Sequence, residues 1–469
     1  MPNERLNGKV IVIGGGMGGL ISAIKAAKNG FSVELLTEGM GATAMSLGGI
    51  NIAGKIAPDK KVESPKQGLQ KLVNRDRKHT YEFGLKPELT PEEKTEKILQ
   101  ILSEEITWLI PLLSREGYSL KGSLERNMIL LNALGGLRTV CFAPQSFAAG
   151  NLLDIQPNTK APMDDRLRIG IIKIKSLQDF YPQFIREGLL NYFQFEKQVQ
   201  IIEMDEQMIT GERIIPPSEY ALLLDTEDFR ELFLDHVSLI DSRGFSHLGF
   251  PAILGLKHTE EIQQEIEQLL NVKIFEIPTA PPTIIGQRLI MALEQVALKA
   301  GVNIHFGVKV VSAKNLDIDY KPQIISIDYL SIVEEKKTIT GDYFILATGN
   351  AIGGGITTEK EEVIEPIFRL GLGKVTNPVE KKYIDSTETI SDSCWENSSN
   401  NSFIRNSRGI EIDHQFKPKQ NSRIIATNLF ACGALLNSHY GIEDHCGMGA
   451  AIFSAIQIIN HLKEDMKGD

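Results

Sequence analysis

Cysteine is scarce in this chain: four thiols in 469 residues, at positions 141, 394, 432 and 446, with no C-x-x-C pair. That spacing excludes a cysteine-ligated cluster or structural zinc of the chain's own and predicts free thiols in a reducing compartment. No metal site is expected. Long apolar runs are missing as well. No stretch nears the ~20 apolar residues that cross a bilayer, and the N-terminal residues carry no apolar leader, so a cytoplasmic location is expected. The sequons at Asn397 and Asn400 then read as chance matches in a polar surface loop. A basic excess is also absent: the formal net charge is −10, which argues against nonspecific binding to nucleic acid. What remains is an ordinary globular composition, long enough for two or three domains with a large core.

The chemistry-bearing signal lies at the start. Val10 to Gly39 reads VIVIGGGMGGLISAIKAAKNGFSVELLTEG. An apolar strand runs into Gly14-x-Gly16-x-x-Gly19, with Gly18 inside the run. A helix spaced by Ala23, Ala26 and Ala27 follows, then a strand from Ser32 to Leu36. This is a βαβ unit whose first turn lets backbone approach a diphosphate, with the helix N-terminus stabilising the negative charge.

One βαβ unit cannot close a sheet, and the expected partners lie far along the chain. A helix from Leu289 to Lys299 ends at Gly301, and a short strand pair containing Val310 follows. Tyr343 to Leu346 is a strand that stops in a Gly-rich turn, Gly353 to Gly355. Leu429 to Cys432 is another, ahead of a loop and a terminal helix. The expected fold is therefore α/β. A discontinuous Rossmann-like domain of two-dinucleotide-binding type takes residues 1–55 and 281–469, and an α/β cap is inserted at 56–280. Within the cap, the patterning predicts one or two helices over Glu92–Glu116 and a strand over Arg168–Lys175. Further helices are predicted over Leu177–Leu190, Phe229–Ile240 and Glu260–Leu270. Pro251, Pro278, Pro281 and Pro282 mark the return loops.

Three segments resemble flavoproteins of the fumarate reductase and succinate dehydrogenase type: GATAMSLGGINIAG (Gly41–Gly54), the ATG at Ala347–Gly349, and NLFACGA. The resemblance implies a flavin held by Gly14, Gly16, Gly18, Gly19, Thr43, Ser46, Gly48, Gly49, Val310, Thr348, Gly349 and Gly433. A closer resemblance covers almost the whole chain. PTAPPTIIGQRL (Pro278–Leu289), FPAILGL, RIGIIKIKSLQDF, ATGNAIGGGI with IEPIFRLGL, and NLFACGALL…CGMG are similar, in order, to the B subunits of anaerobic glycerol-3-phosphate dehydrogenases. That family implies participation in oxidation of sn-glycerol 3-phosphate to dihydroxyacetone phosphate, with electrons passed to quinone. It implies two partners, a catalytic FAD-containing dehydrogenase subunit and an iron–sulfur subunit that anchors the complex to the membrane. Membrane association of this chain would then be indirect, on the inner face. The family implies FMN; the glycine motif by itself suits FAD.

Departures from the broader pattern carry their own expectations. The acid that ends the second strand and holds the adenosine ribose is replaced by Thr37, with Glu38 one residue later and so on the other strand face, where it takes the acid's place only if the turn is irregular; both stay candidate cofactor contacts. Ala434 stands where another acid is usual. Asp444 stands where fumarate reductases carry a substrate-gripping arginine, so binding of a dicarboxylate is not expected. The loop before the last helix collects His439, Tyr440, Glu443, Asp444, His445 and Cys446. Backbone N–H groups near Gly447 and Gly449 are expected to face the reduced flavin's negative charge. Cys446 is a candidate catalytic thiol at a helix N-terminus, and by the family resemblance it lies within a C-G-x-G run. His439 and His445 are candidate proton carriers, and Arg288 is a candidate anion clamp. Each has a plainer reading: a buried thiol, loop histidines, a salt-bridged helix-start arginine. Two rival functions stay open, a stand-alone flavin enzyme and a structural subunit with no working flavin.

Overall fold

The computed structural model describes residues 8–57, 60–61, 63–76, 78–155, 168–193, 198–205, 211, 213–318, 321–374, 409–439 and 444–468. Cys394, the two sequons, Tyr440 and Glu443 lie outside these residues.

The chain opens with strand β1 (Lys9–Ile13), helix α1 (Met17–Lys28) and strand β2 (Ser32–Thr37). Val10 to Ile13 are buried on both faces, as the unbroken apolar run requires. Helix α2 (Pro65–Val73) follows, started by the Ser64 side chain. Helix α3 (Pro91–Arg115) is started by a Thr90–Glu93 capping box. The one-or-two-helix expectation resolves to one helix, which runs through Pro111. A hairpin of β3 (Met128–Leu131) and β4 (Leu137–Val140) then leads to β5 (Ile169–Ile174).

Beyond it lie α4 (Pro182–Phe193), β6 (Val199–Met204), α5 (Glu227–Ser238), β7 (His247–Pro251), α6 (Thr259–Leu270) and β8 (Lys273–Ile277). Helix α4 starts five residues later than its apolar pattern suggests. Proline is tolerated at the first helical position but disfavours helical geometry in the residue before it. The last third supplies α7 (Ile284–Lys299), β9 (Asn303–Phe306), β10 (Lys309–Ile318), β11 (Lys321–Leu330), β12 (Tyr343–Leu346), β13 (Leu429–Ala431) and α8 (Gly447–Gly468).

Two parallel sheets organise these elements. The first has the order β9-β2-β1-β12-β13, and every neighbouring pair is parallel. It is the Rossmann-like sheet expected from the opening motif, closed by strands from the far end of the chain. The second has the order β6-β5-β7-β8, again all parallel. Apolar clusters cover both of its faces: Phe233, Val237, Ile262 and Ile266 belong to one, Ile185, Leu189 and Phe193 to the other.

The packing redraws the boundary expected at residue 56. Leu69 and Leu72 of α2, and Ile98, Leu102, Ile106, Leu109 and Leu113 of α3, share one core with β1, α1 and α8. Burial of one helical face decides where a helix belongs, and these two helices belong to the first sheet. Cys141 and Phe142, just after the β3–β4 hairpin, belong to that core as well.

Candidate flavin and substrate site

The glycine turn is shaped by close contact on one side and open space on the other. Gly14 has φ +114, and a Cβ there would lie 2.3 Å from the Ala347 carbonyl oxygen. A Cβ on Gly19 would lie 1.9 Å from Gly14 O. Gly18 packs against Cys432, whose Sγ would sit 3.2 Å from an added Cβ. Gly16, the N-cap of α1, differs: within 4 Å an added Cβ would meet only Thr43 Oγ1, at 3.5 Å. Thr43 Oγ1 accepts the Met17 N–H at 3.0 Å. At the end of β12, Thr348 Oγ1 is buried without a hydrogen-bond partner among the described residues, beside Gly349 at φ +80. Gly433, at φ +74, donates its N–H to Ser454 Oγ at 3.1 Å. An open cradle at a helix N-terminus next to an orphaned hydroxyl fits a diphosphate-bearing cofactor.

At the ribose end, Thr37 is buried and donates its hydroxyl to Gly39 O at 2.7 Å. Glu38 points to solvent, with Lys309 Nζ 3.4 Å from its carboxylate. It does not replace the missing acid inside the site. Val308 N–H reaches back to Thr37 O at 3.1 Å, and the half-buried Val310 follows two residues after Val308, at the start of β10.

A cavity of ≈ 200 Å³ lies where the Ser46–Asn51 segment, the β3–β4 hairpin, the Thr279–Thr283 return loop and the start of α8 converge. Gly48 and Gly49 sit on its wall segment, but the reason for glycine is internal. A Cβ on Gly48 would lie 2.3 Å from Tyr118 Oη, and one on Gly49 would lie 2.7 Å from Phe142 O. The protein's own packing therefore requires glycine at both positions. Ser46 Oγ donates to Thr43 O at 2.7 Å and accepts the Gly48 N–H at 3.1 Å.

Three expectations for the loop before α8 need correction. Gly449 N–H donates to Asn51 O at 2.9 Å, and Met448 N–H to Asn51 Oδ1 at 3.0 Å. Those donors are spent on the wall, and glycine is required at 449 because a Cβ would lie 2.5 Å from Tyr81 Oη. Gly447 stays half-buried at the helix start. Cys446 is sealed from solvent, and its Sγ lies 3.5 Å from His79 Nε2. His79 Nδ1 accepts the Tyr81 N–H, so the ring turns Nε2–H towards the sulfur. Asp444 is fully buried in a bidentate pair with Arg75, at 2.8 and 2.9 Å. Its charge is neutralised there, so it does not repel an anion in the cavity.

His439 and His445 are not brought to equivalent places. His439 Nδ1 is enclosed with no partner among the described residues, and burial pushes its pKa down to about 4. His445 lines the cavity, with φ +47. Arg288 does not open onto solvent or ligand. It is buried on α7, and its Nη2 donates to Glu276 Oε1 at 2.9 Å while Nε donates to Gly255 O at 2.8 Å. The anion clamp is committed to the protein, because a buried carboxylate needs that guanidinium.

The cavity holds residues that the motif reading passed over. Arg138 Nη1 lies 3.0 Å from His445 Nε2, and Thr139 Oγ1 lies 3.2 Å from His445 Nδ1. Thr279 is fully buried, and its Oγ1 has no partner among the described residues. The one available signal was the Gly135–Gly136 turn between MILL and LRTV, a hairpin pattern that places Arg138 and Val140 on one face. Among the described residues no helix is long and apolar enough to cross a membrane, and no group of three acidic, histidine or cysteine side chains stands ready for a metal.

The model of the FAD binding domain family matches residues 9–449. The chain is 25% identical to the B subunit of anaerobic glycerol-3-phosphate dehydrogenase from Actinobacillus pleuropneumoniae serotype 5b, over 97% of this chain and 99% of that one. It is 25% identical to the protein of the same name from Pasteurella multocida, over 96% and 98%. Among solved structures it is similar to the 3-ketosteroid delta1-dehydrogenase from Sterolibacterium denitrificans, with TM-score 0.40 and 10% identity over 98% of this chain and 100% of that one. The E. coli quinol fumarate reductase gives TM-score 0.40 and 10% identity over 98% and 70%. The family match takes in the glycine turn, the inserted layer and the start of α8 together, and the chain belongs to the FAD binding domain family, with a flavin as its cofactor.

Proposed function

We propose that this chain is a flavin-dependent subunit of a complex that oxidises sn-glycerol 3-phosphate to dihydroxyacetone phosphate, with quinone as the final electron acceptor. The observation that carries the reading is the open Gly16 cradle beside the unpaired Thr348 hydroxyl. It occurs in a chain that parallels the named B subunits from end to end. Gly14, Gly16, Gly18 and Gly19 would hold a diphosphate, which makes FAD the expected flavin. Thr348, Gly349 and Gly433 would border the same cofactor, and the Ser46–Gly49 segment its ring. Bound there, a flavin supplies two-electron chemistry that can be divided into single-electron transfers. The protein's part at the cavity is enclosure and polarity: Arg138, Thr139 and His445 stand on one wall, and Leu47, Val140 and Met448 keep the rest of it apolar. The proposed partners are a catalytic FAD-containing subunit and an iron–sulfur subunit that ties the assembly to the membrane surface.

The test is to purify the native complex, separate this chain from its partners, release its cofactor with acid and tell FAD from FMN by chromatography. One FAD per chain, with both partners co-purifying, is the expected result. FMN would keep the redox reading and remove the diphosphate role of Gly14 to Gly19. A colourless chain that stays colourless after reconstitution would leave a scaffold and end the proposal.

A further inference from the structure

Asn51 stands in the cavity wall with its side chain turned a fixed way. The residue before it is bridged to the chain just beyond the β3–β4 hairpin. Ile50 N–H donates to Phe142 O at 2.7 Å, and Cys141 N–H donates to Ile50 O at 2.9 Å. Asn51 Oδ1 accepts the Met448 N–H at 3.0 Å. A backbone N–H only donates, so the amide must present its oxygen to Met448 and keep its nitrogen for something else. Nδ2 has no partner among the described residues, and Asn51 is half-buried.

Thr279 reaches the same cavity from the return loop, two residues after the end of β8. That loop is pinned at both ends. Ala280 N–H donates to Asp179 O at 2.9 Å, and Thr283 N–H donates to Ala44 O at 3.0 Å. Thr279 Oγ1 is sealed in between, without a partner among the described residues. A buried hydroxyl left in that state costs free energy until a ligand meets it. The neighbouring hydroxyls on the wall are already spent. Ser46 Oγ donates to Thr43 O and accepts the Gly48 N–H, while Thr283 Oγ1 donates to Ser46 O and accepts the Gly286 N–H.

Asn51 thus brings hydrogen-bond donors, and Thr279 brings a hydroxyl that can donate or accept. Neither carries charge, and Leu47, Leu134, Val140 and Met448 make the surface around them apolar. An apolar cavity with a few placed donors suits a flat ring that carries acceptors on its edge. A small polyol suits it less, because each of its hydroxyls brings a donor that needs an acceptor.

We propose that Asn51 and Thr279 seat the flavin ring in this cavity. Asn51 Nδ2 donates to a carbonyl oxygen on the ring's edge, and the Thr279 hydroxyl bonds the same ring from the return loop. Because Thr279 continues β8, the second sheet takes part in holding a cofactor whose diphosphate belongs to the first. This deepens the proposed function at its flavin and does not depend on which substrate reduces it.

The test strips the full chain of flavin and reloads it with FAD, 2-thio-FAD or 4-thio-FAD. Thr279→Val removes the hydroxyl and keeps the shape. Asn51→Asp keeps an acceptor for the Met448 N–H and removes the donor. Each should weaken FAD binding about ten-fold, read by flavin fluorescence. Stripped Thr279→Val should melt no lower than the stripped parent, because the hydroxyl it loses has no partner there; only the loaded form should lose stability. A carboxylate at position 51 should also lower the flavin midpoint potential, since it opposes the negative charge of the reduced ring. A thiocarbonyl accepts hydrogen bonds poorly, so one thio analogue should bind the parent more weakly than FAD does. That analogue should show no such deficit in Asn51→Asp, and it names the carbonyl concerned.

FAD affinity unchanged in both variants would overturn the proposal. So would a stripped Thr279→Val chain that melts as far below its parent as the loaded one does. Adding sn-glycerol 3-phosphate to the native complex separates the two readings. Variants that weaken FAD binding, in a chain whose flavin that substrate fails to reduce, remove the proposed function alone. Variants without effect, in a chain whose flavin it does reduce, remove this inference alone.

Discussion

Arg288 on α7 and Glu276 at the end of β8 form a bidentate pair that joins the core of the first sheet to the edge of the second, with both side chains sealed from solvent. The carboxylate also accepts Ser146 Oγ at 2.6 Å and the Leu254 N–H at 3.0 Å. A single replacement, Arg288→Met, strands a buried charge and should cost about 3–5 kcal/mol. Replacing both partners by apolar residues of similar volume should cost much less, since no unpaired charge remains. Urea unfolding of the two variants checks both expectations, and equal losses would show that the pair contributes mainly through its packing.

The glycine turn yields a second expectation. Gly19→Ala puts a methyl group 1.9 Å from Gly14 O, between backbone segments that cannot yield. Gly39→Ala, where nothing lies within 4 Å, is the matched control. The first variant should lose bound flavin and melt at a lower temperature, and the second should match the parent. The ratio of flavin to protein absorbance, with a thermal melt, decides it.

Much of this arrangement is legible in the residues, and the part that is not has a physical cause. β1, β12 and β13 declare themselves because fully buried parallel strands read as short apolar runs stopped by glycine. The 25-residue α3 is announced by its Thr90–Glu93 cap and by apolar spacing. Local patterns cannot report contacts across hundreds of residues. Asn51 takes the backbone donors of Met448 and Gly449, so the helix end thought to face the flavin is spent on a neighbouring segment. Arg288 looks like any helix-start arginine until Glu276 is folded against it. Arg138 carries no motif, and its place in the site depends on how a hairpin from one layer reaches the loop of another.

His439 gives a pH signature. Burial depresses its pKa from the ordinary 6.5 to about 4, so between these values the unfolded chain binds the extra proton. Stability should therefore fall as pH drops from about 6.5 towards 4, and the loss should be complete below that range. His439→Gln should flatten this part of the profile. Melting temperatures collected across the window give the answer, and an unchanged slope in the variant would assign the effect to other groups.

The thiols offer a simpler reading. Cys141, Cys432 and Cys446 are buried, and burial pushes Cys141 and Cys432 up to about 12. A thiol-reactive dye should label at most one of the four cysteines in the native protein and all four in denaturant. Rapid native labelling of Cys446, identified by peptide mapping, would contradict its enclosed contact with His79.

The strand order β9-β2-β1-β12-β13 has a consequence for synthesis on the ribosome. β1 is made almost first, but its neighbour β12 emerges about 330 residues later, on the order of 20–60 s at ordinary elongation rates. Through that interval one edge of the β1–β2 pair has no partner, while the inserted layer, whose strands lie closer together in the chain, can already assemble. Contacts between distant segments form slowly, and an apolar strand kept waiting is open to wrong pairing. The nascent chain should therefore depend on a holding chaperone from the time β1 leaves the tunnel until β12 follows it.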